Sequence, residues 1–166
     1  KLFQDLNGFE GNNGIASGDD VFLLQKANRK YPKKVHYLKS DANIILTKPL
    51  DDFKSLFHQR VRWASKTASY ESGFGKVLAF LVFAGNVAIV ISFFLTLFSL
   101  FSFWNWYLLF AVKIFIDFLI LYQTGKFLQP KPVKFFLISN LFYPFFSVAV
   151  AVFSLFGKYE WKGRRF

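Results

Sequence analysis

The sequence predicts an α-helical membrane protein with a partial α/β portion on the cytosolic side. Apolar residues make up 54% of the chain, and 18 of the 25 Phe lie between residues 77 and 157. Residues 77–101 carry no charge and are long enough to cross about 30 Å of hydrocarbon. Before them, residues 51–71 have the periodicity of an amphipathic helix. We therefore expect an interfacial amphipathic helix followed by two or three transmembrane segments.

The α/β portion, residues 1–50, is expected to begin with the end of a helix and a turn. A Gly- and Asn-rich loop then runs from Gly11 to Gly18, as such composition indicates. Ser17 or Asp19 is expected to cap a helix that begins near Asp20, because short polar side chains satisfy the free N–H groups at a helix start.

Two short segments follow that helix and are rich in β-branched and aromatic residues. They are Val35–Leu38 and Asn43–Thr47, and this composition is typical of strands. Pro49 interrupts the chain after the second segment. The alternation of helix and strand is the basis for predicting an α/β portion.

The amphipathic helix within residues 51–71 is expected to be capped by Asp51 or Asp52. Helical spacing divides it into a polar and an apolar face. The polar face holds Gln59, Arg62, Trp63 and Lys66, and the apolar face holds Phe53, Phe57, Val61, Ala64 and Ala68.

The apolar region, residues 77–157, divides into three candidate spans at about 77–101, 106–124 and 133–157. The third contains Pro144, so it either crosses fully or enters and returns as two short halves.

The charge pattern sets the expected topology. Residues 126–134 form a basic loop and residues 158–166 form a basic tail. Cytosolic placement of residues 1–76 and two crossings satisfy the positive-inside rule, whereas a third crossing places the tail outside, against it. A re-entrant third segment with a cytosolic tail is therefore favoured. Lys113 and Asp117, one helical turn apart in the second span, are expected to pair.

Composition excludes several classes of function. The net charge is +11, but the basic residues flank apolar spans and no nucleic-acid recognition motif occurs, so membrane lipids are the expected partner and nucleic acid is not. The absence of Cys excludes thiolate metal sites and disulfides. The absence of Met leads us to expect that the chain is a fragment.

Two polar motifs carry the candidate chemistry. Asp19 and Asp20 are suited to metal binding, to general-base catalysis or simply to helix capping, and spacing alone favours capping. Arg62 offers a forked donor for phosphate, and Trp63 offers an aromatic face for a sugar or base. The competing interpretation of the second motif is a basic helix that lies on anionic lipid.

The order of these motifs resembles the membrane-integrated family 2 glycosyltransferases, of the cellulose synthase, hyaluronan synthase and ceramide glucosyltransferase types. The resemblance consists of Gly18-Asp19-Asp20, then Gln59-x-x-Arg62-Trp63, then membrane spans. It covers residues 1 to about 66 by motif and the remainder by hydropathy. It implies that residues 1–50 are the C-terminal remnant of a GT-A-like domain.

The resemblance also implies roles for these residues. Asp20 is the catalytic base for inverting transfer, and Asp19 with Gly18 supports it. Gln59, Arg62 and Trp63 bind the acceptor and the diphosphate. The implied activity is transfer of a sugar from a nucleotide-sugar to a lipid or glycan acceptor, in polysaccharide or glycolipid synthesis at the cytosolic face of the inner (plasma) membrane.

The resemblance implies that the donor-binding aspartate and the Asp-x-Asp motif for Mg²⁺ or Mn²⁺ lie upstream, because no Asp-x-Asp occurs in these residues. The metal ligands are thus expected outside this chain, which should be inactive alone. Sparse polar residues in the first span favour single transfer or short polymers. The alternative function is a non-catalytic membrane anchor or channel subunit that partners a soluble domain.

Overall fold

The structure is a computed structural model that describes residues 1–11, 18–67, 72–128, 135–156, 160–161 and 164–165. Within these residues the chain is predominantly helical. The helices are α1 (Leu2–Asp5), α2 (Asp19–Lys30), α3 (Phe53–Ser65), α4 (Gly73–Leu97), α5 (Phe103–Leu128) and α6 (Phe136–Phe156), with a 3₁₀ turn at Asp41–Asn43. Two short strands, β1 (Glu160–Trp161) and β2 (Arg164–Arg165), pair antiparallel in the basic tail.

The strands predicted at Val35–Leu38 and Asn43–Thr47 do not form. Residues 35–38 have no regular structure, and the second segment overlaps the 3₁₀ turn. A strand requires a neighbouring strand for its N–H and C=O groups, and in the described part of residues 1–50 none is present. The α/β portion is therefore not seen.

Lysine side chains attach α2 to the turn that precedes it. Lys26 Nζ donates hydrogen bonds to the carbonyl oxygens of Gly8, at 2.9 Å, and Glu10, at 2.6 Å. Lys30 Nζ donates to the carbonyl oxygen of Asp5 at 2.6 Å. These bonds satisfy carbonyl groups of α1 and of the turn after it, and α1 is too short to be stable alone.

Helix α3 begins as the sequence predicts, with Asp52 as its N-cap. The backbone N–H of Ser55 donates to Asp52 Oδ1 at 2.8 Å, and the Ser55 hydroxyl donates to Oδ2 at 2.6 Å. These hydrogen bonds, that from the Ser55 side chain first, hold the pKa of Asp52 below its ordinary value because they favour the charged carboxylate.

The predicted apolar face of α3 packs on α6. The Phe57 ring lies edge-on to Phe146 and Phe153, with centroids 6.0 and 5.3 Å apart, and the Phe53 ring is 5.5 Å from Phe146. Val61 is buried as well. Edge-to-face aromatic pairs add about 0.5–1.5 kcal/mol each to the burial of apolar area, so this seam joins α3 to the long helices.

Helices α4, α5 and α6 are each long and apolar enough to cross a membrane, so of the predicted two or three spans, three helices of membrane-spanning length are present. Trp106 and Phe145 both lie against Phe93, and Phe118 lies against Phe136. Residues early in α5 therefore lie near the middle of α6, and residues later in α5 lie near the start of α6. The two helices are antiparallel. Because a short turn reverses the chain between α4 and α5, α4 and α6 run in the same direction.

Helix α6 is continuous through Pro144, unlike the two half-length segments of the re-entrant alternative. Pro removes one N–H, but helices of membrane length tolerate it where neighbouring groups cover the freed carbonyl. Here Pro144 is fully buried. The basic loop at 129–134 and much of the tail lie outside the described residues, so the side of the tail stays a prediction.

The predicted pairing of Lys113 and Asp117 is confirmed and extends to α6. Lys113 Nζ donates to Asp117 Oδ2 and, at 3.0 Å, to Asn140 Oδ1. The same ammonium is 5.3 Å from the centroid of the Tyr143 ring. Since an unpaired charge between apolar helices is costly, this cluster fixes α5 against α6.

Candidate functional site

The acidic motif lies at the start of α2. Gly18 is the N-cap, with a left-handed φ of 93° and no side-chain cap bond, so the helix begins at Asp19 and Asp19 is not its cap. Ser17 lies outside the described residues. Asp19 and Asp20 are exposed in the first turn, where carboxylates complement the helix dipole. Both are therefore accessible to a ligand from solvent.

The second motif occupies the last two turns of α3. Gln59 and Arg62 are half-buried, and the side chain of Trp63 is exposed. The Arg60 guanidinium stacks on the Trp63 ring, with its carbon 4.6 Å from the ring centroid. This cation–π contact was not predicted, although the i, i+3 spacing places the two side chains on one face. It orients the Trp63 ring, for which the resemblance implies acceptor binding.

The two motifs meet at Lys66, which directly follows α3 as its C-cap. Its side chain is only 5% exposed, unusual for a lysine. A Cβ atom on Gly18 would lie 3.2 Å from Lys66 Cδ and 3.3 Å from Nζ. The lysine side chain therefore packs directly on the glycine that begins α2, and residues almost fifty positions apart become neighbours.

The pKa of Lys66 reflects the charges around it. Burial, followed by the positive charge of Arg62, lowers the pKa of Lys66 below its ordinary value of 10.5, while Asp20 and then Asp19 oppose that shift. Burial disfavours the ammonium and nearby carboxylates favour it. One side chain thus lies in the field of both carboxylates of the first motif and of the arginine of the second.

The structure therefore joins Gly18, Asp19 and Asp20 to Arg62 through Lys66. Gln59 lies one turn before Arg62, and Trp63 contacts Arg60. The sequence placed Lys66 on the polar face of the helix but gave it no role. The four-residue spacing between Arg62 and Lys66 indicates that the two side chains share a helix face. Only the tertiary contact with Gly18 shows that Lys66 lies next to the acidic motif.

The carboxylates of Asp19 and Asp20 and the cations of Arg62 and Lys66 differ in the chemistry that they can perform. An exposed carboxylate can accept a proton from a hydroxyl group. Neighbouring cations can stabilise negative charge on phosphate. Among the described residues, no three His, Cys, Asp or Glu side chains converge as metal ligands, and no step is assigned to a metal here.

The fold and the site together define a helical membrane protein that carries a charged cluster next to its amphipathic helix. Comparison with known proteins found no matching family model, no similar curated protein and no similar solved structure.

Gly18→Ala tests the contact between the motifs, with Gly11→Ala as the matched control. Both glycines have positive φ, but nothing lies within 4 Å of a Cβ at Gly11. Left-handed strain alone is expected to lower the free energy of unfolding by about 1 kcal/mol in each variant. Gly18→Ala should cost more because Lys66 must also move. Equal losses, measured by thermal unfolding in detergent, would show that Lys66 does not pack there.

The lowered pKa of Lys66 predicts a specific pH dependence. Between that lowered pKa and 10.5 the folded state binds fewer protons than the unfolded state, so the free energy of unfolding rises with pH. Below the lowered pKa, the cost of burying the charge is fully present. Relative to Lys66→Met, the wild type should therefore gain stability as the pH is raised through this window.

The matched control is Lys54→Met, which removes an exposed lysine near the start of α3. Unfolding is measured at a series of alkaline pH values for all three proteins. A constant difference between wild type and Lys66→Met across the series would contradict the buried ammonium.

Proposed function

We propose that this chain is the acceptor-binding, membrane-anchored part of a family 2 glycosyltransferase. It would transfer a sugar from a nucleotide-sugar to a lipid or glycan acceptor at the cytosolic face of the inner membrane, with inversion. The observation that supports this most is the contact between the start of α2 and the end of α3 through Lys66. Two motifs that act in one site have to be neighbours.

In this proposal Asp20 is the general base. Its exposed carboxylate takes the proton of the acceptor hydroxyl. The acceptor oxygen forms a bond to the anomeric carbon, and the bond from that carbon to the diphosphate oxygen breaks. Asp19 and Gly18 support the geometry: Asp19 as a neighbouring carboxylate, and Gly18 by leaving space for Lys66.

Cations on and next to α3 act on the leaving group in this proposal. Arg62 offers two parallel N–H donors to the nucleoside diphosphate, and the nearby Lys66 adds positive charge as the sugar bond breaks. The exposed ring of Trp63 offers an apolar face for the acceptor sugar, and Gln59 offers an amide for its hydroxyl groups. The donor nucleotide and its Mg²⁺ or Mn²⁺ belong to a separate nucleotide-binding half.

The segment between α2 and α3 supports the presence of such a half. Tyr37 and Ile45 are 81% and 86% exposed, and Leu38 and Leu46 are similarly open. A cluster of exposed large apolar side chains in one segment is typical of a surface that another domain covers. In the proposal they contact the nucleotide-binding half.

The same exposed segment fits the second candidate function equally well, namely a non-catalytic anchor or channel subunit that partners a soluble domain. A covering domain is expected for either function. The two differ in whether the carboxylate of Asp20 is needed, which makes that residue the discriminating one.

Asp20→Asn in the complete enzyme should reduce sugar transfer at least 100-fold, because a general base contributes about 10²–10⁴ to the rate. Transfer is measured in membranes with a panel of radiolabelled nucleotide-sugars, and protein levels are compared by immunoblot. Asp41→Asn, in the exposed 3₁₀ turn, is the matched control and should retain activity. Full turnover by Asp20→Asn would reject the proposed base, and no turnover by the wild type with any donor would favour the anchor.

A further inference from the structure

A groove of about 850 Å³ lies between α3 and α6, away from the acidic motif. Aromatic and aliphatic side chains form most of its wall, including Phe53, Phe57, Phe146 and Ala149. Its size is within the range of about 300–1,000 Å³ that is usual for ligand pockets. The groove is open to the surroundings of the protein, since Phe53 and Phe142 in its wall are 70% and 64% exposed.

The surroundings of the groove indicate what fills it. One wall is an amphipathic helix, and the other is a helix long and apolar enough to cross a membrane. The medium next to such a pair is the interfacial part of the bilayer. Apolar cavities do not hold water favourably, so a hydrocarbon chain fits this wall better than solvent.

The positive charge of Arg60 at the groove favours lipids with an anionic headgroup. Arg60 is the one charged residue among those that line it, and its side chain is exposed. Within the described part of the chain no carboxylate pairs with this guanidinium, whose carbon instead lies 4.6 Å from the centroid of the Trp63 ring. An oriented, uncompensated guanidinium is a strong donor to phosphate.

We propose that this groove binds one acyl chain of an anionic phospholipid and that Arg60 holds the phosphate. The chain lies against Phe53, Phe57 and Phe146, and the headgroup lies at the exposed end of Arg60. This site is separate from the acidic cluster at Lys66 and does not depend on sugar transfer. It makes α3 a lipid-selective element through which membrane composition acts on the position of the Gln59–Trp63 motif.

The test uses the purified chain in nanodiscs with two photoactivatable lipids of the same acyl chains, phosphatidylglycerol and phosphatidylcholine. A diazirine near the chain end labels its neighbours, and mass spectrometry maps the labelled peptides. One arginine contact with an anionic headgroup is expected to favour phosphatidylglycerol about fivefold in labelling of α3 and α6 groove peptides. Equal labelling by both lipids would overturn the charge selection.

Two variants on α3 assign that preference to Arg60. Arg60→Gln should bring the labelling ratio close to one, whereas Arg60→Lys should retain part of the preference. Lys54→Gln removes an exposed cation of the same helix that does not line the groove, and it should leave the ratio unchanged. A preference that survives Arg60→Gln would overturn the assignment, and so would an equal loss in Lys54→Gln.

A third variant tests the chain site itself. Ala149→Phe fills the groove and should reduce labelling of its peptides by both lipids, while Ala111→Phe on the exposed face of α5 should not. Circular dichroism and gel filtration verify that both variants fold. Groove labelling no greater than that of the exposed α5 face, or unchanged in Ala149→Phe, would show that the groove does not hold a lipid chain.

Discussion

The contact of Lys66 with Gly18 is the interaction on which the candidate site depends. A buried ammonium is costly unless opposite charge lies near it, and here Asp20 and Asp19 provide that charge. The lysine can reach them because Gly18 has no side chain and adopts a left-handed backbone conformation that favours glycine. This one contact brings the start of α2 to the end of α3, and it turns two separate motifs into one charged surface.

The same helix links that surface to the membrane part. The apolar face of α3 packs on α6 through Phe53 and Phe57, and α6 in turn packs against α4 and α5. Helices α5 and α6 are held in register by the hydrogen bonds of Lys113 to Asp117 and Asn140. Separating the two helices would leave a charge unpaired between apolar surfaces. Helix α3 therefore connects α6 to Lys66, which in turn packs on Gly18 at the acidic motif.

Local patterns in the sequence were sufficient for much of this structure. The Asp52 cap, the apolar face with Phe57 and the Lys113–Asp117 pair depend on side chains within one or two helical turns, so periodicity predicts them. The position of Lys66 on Gly18 and the bond from Lys113 to Asn140 join distant segments, and no local pattern encodes them. The strands at 35–38 and 43–47 were predicted from composition, but a strand forms only with a partner. Pro144 indicated a break, yet packing around it keeps α6 continuous.

A double-mutant cycle between Asp20→Asn and Lys66→Met tests the contact of the two motifs most directly. The free energies of unfolding of the wild type, both single variants and the double variant give the coupling between the side chains. A coupling of about 0.5–1 kcal/mol is expected for a partly exposed charge pair, and a cycle between Asp41→Asn and Lys66→Met should give none. Additivity within about 0.3 kcal/mol for Asp20 and Lys66 would contradict a direct charge interaction between the acidic motif and the end of α3.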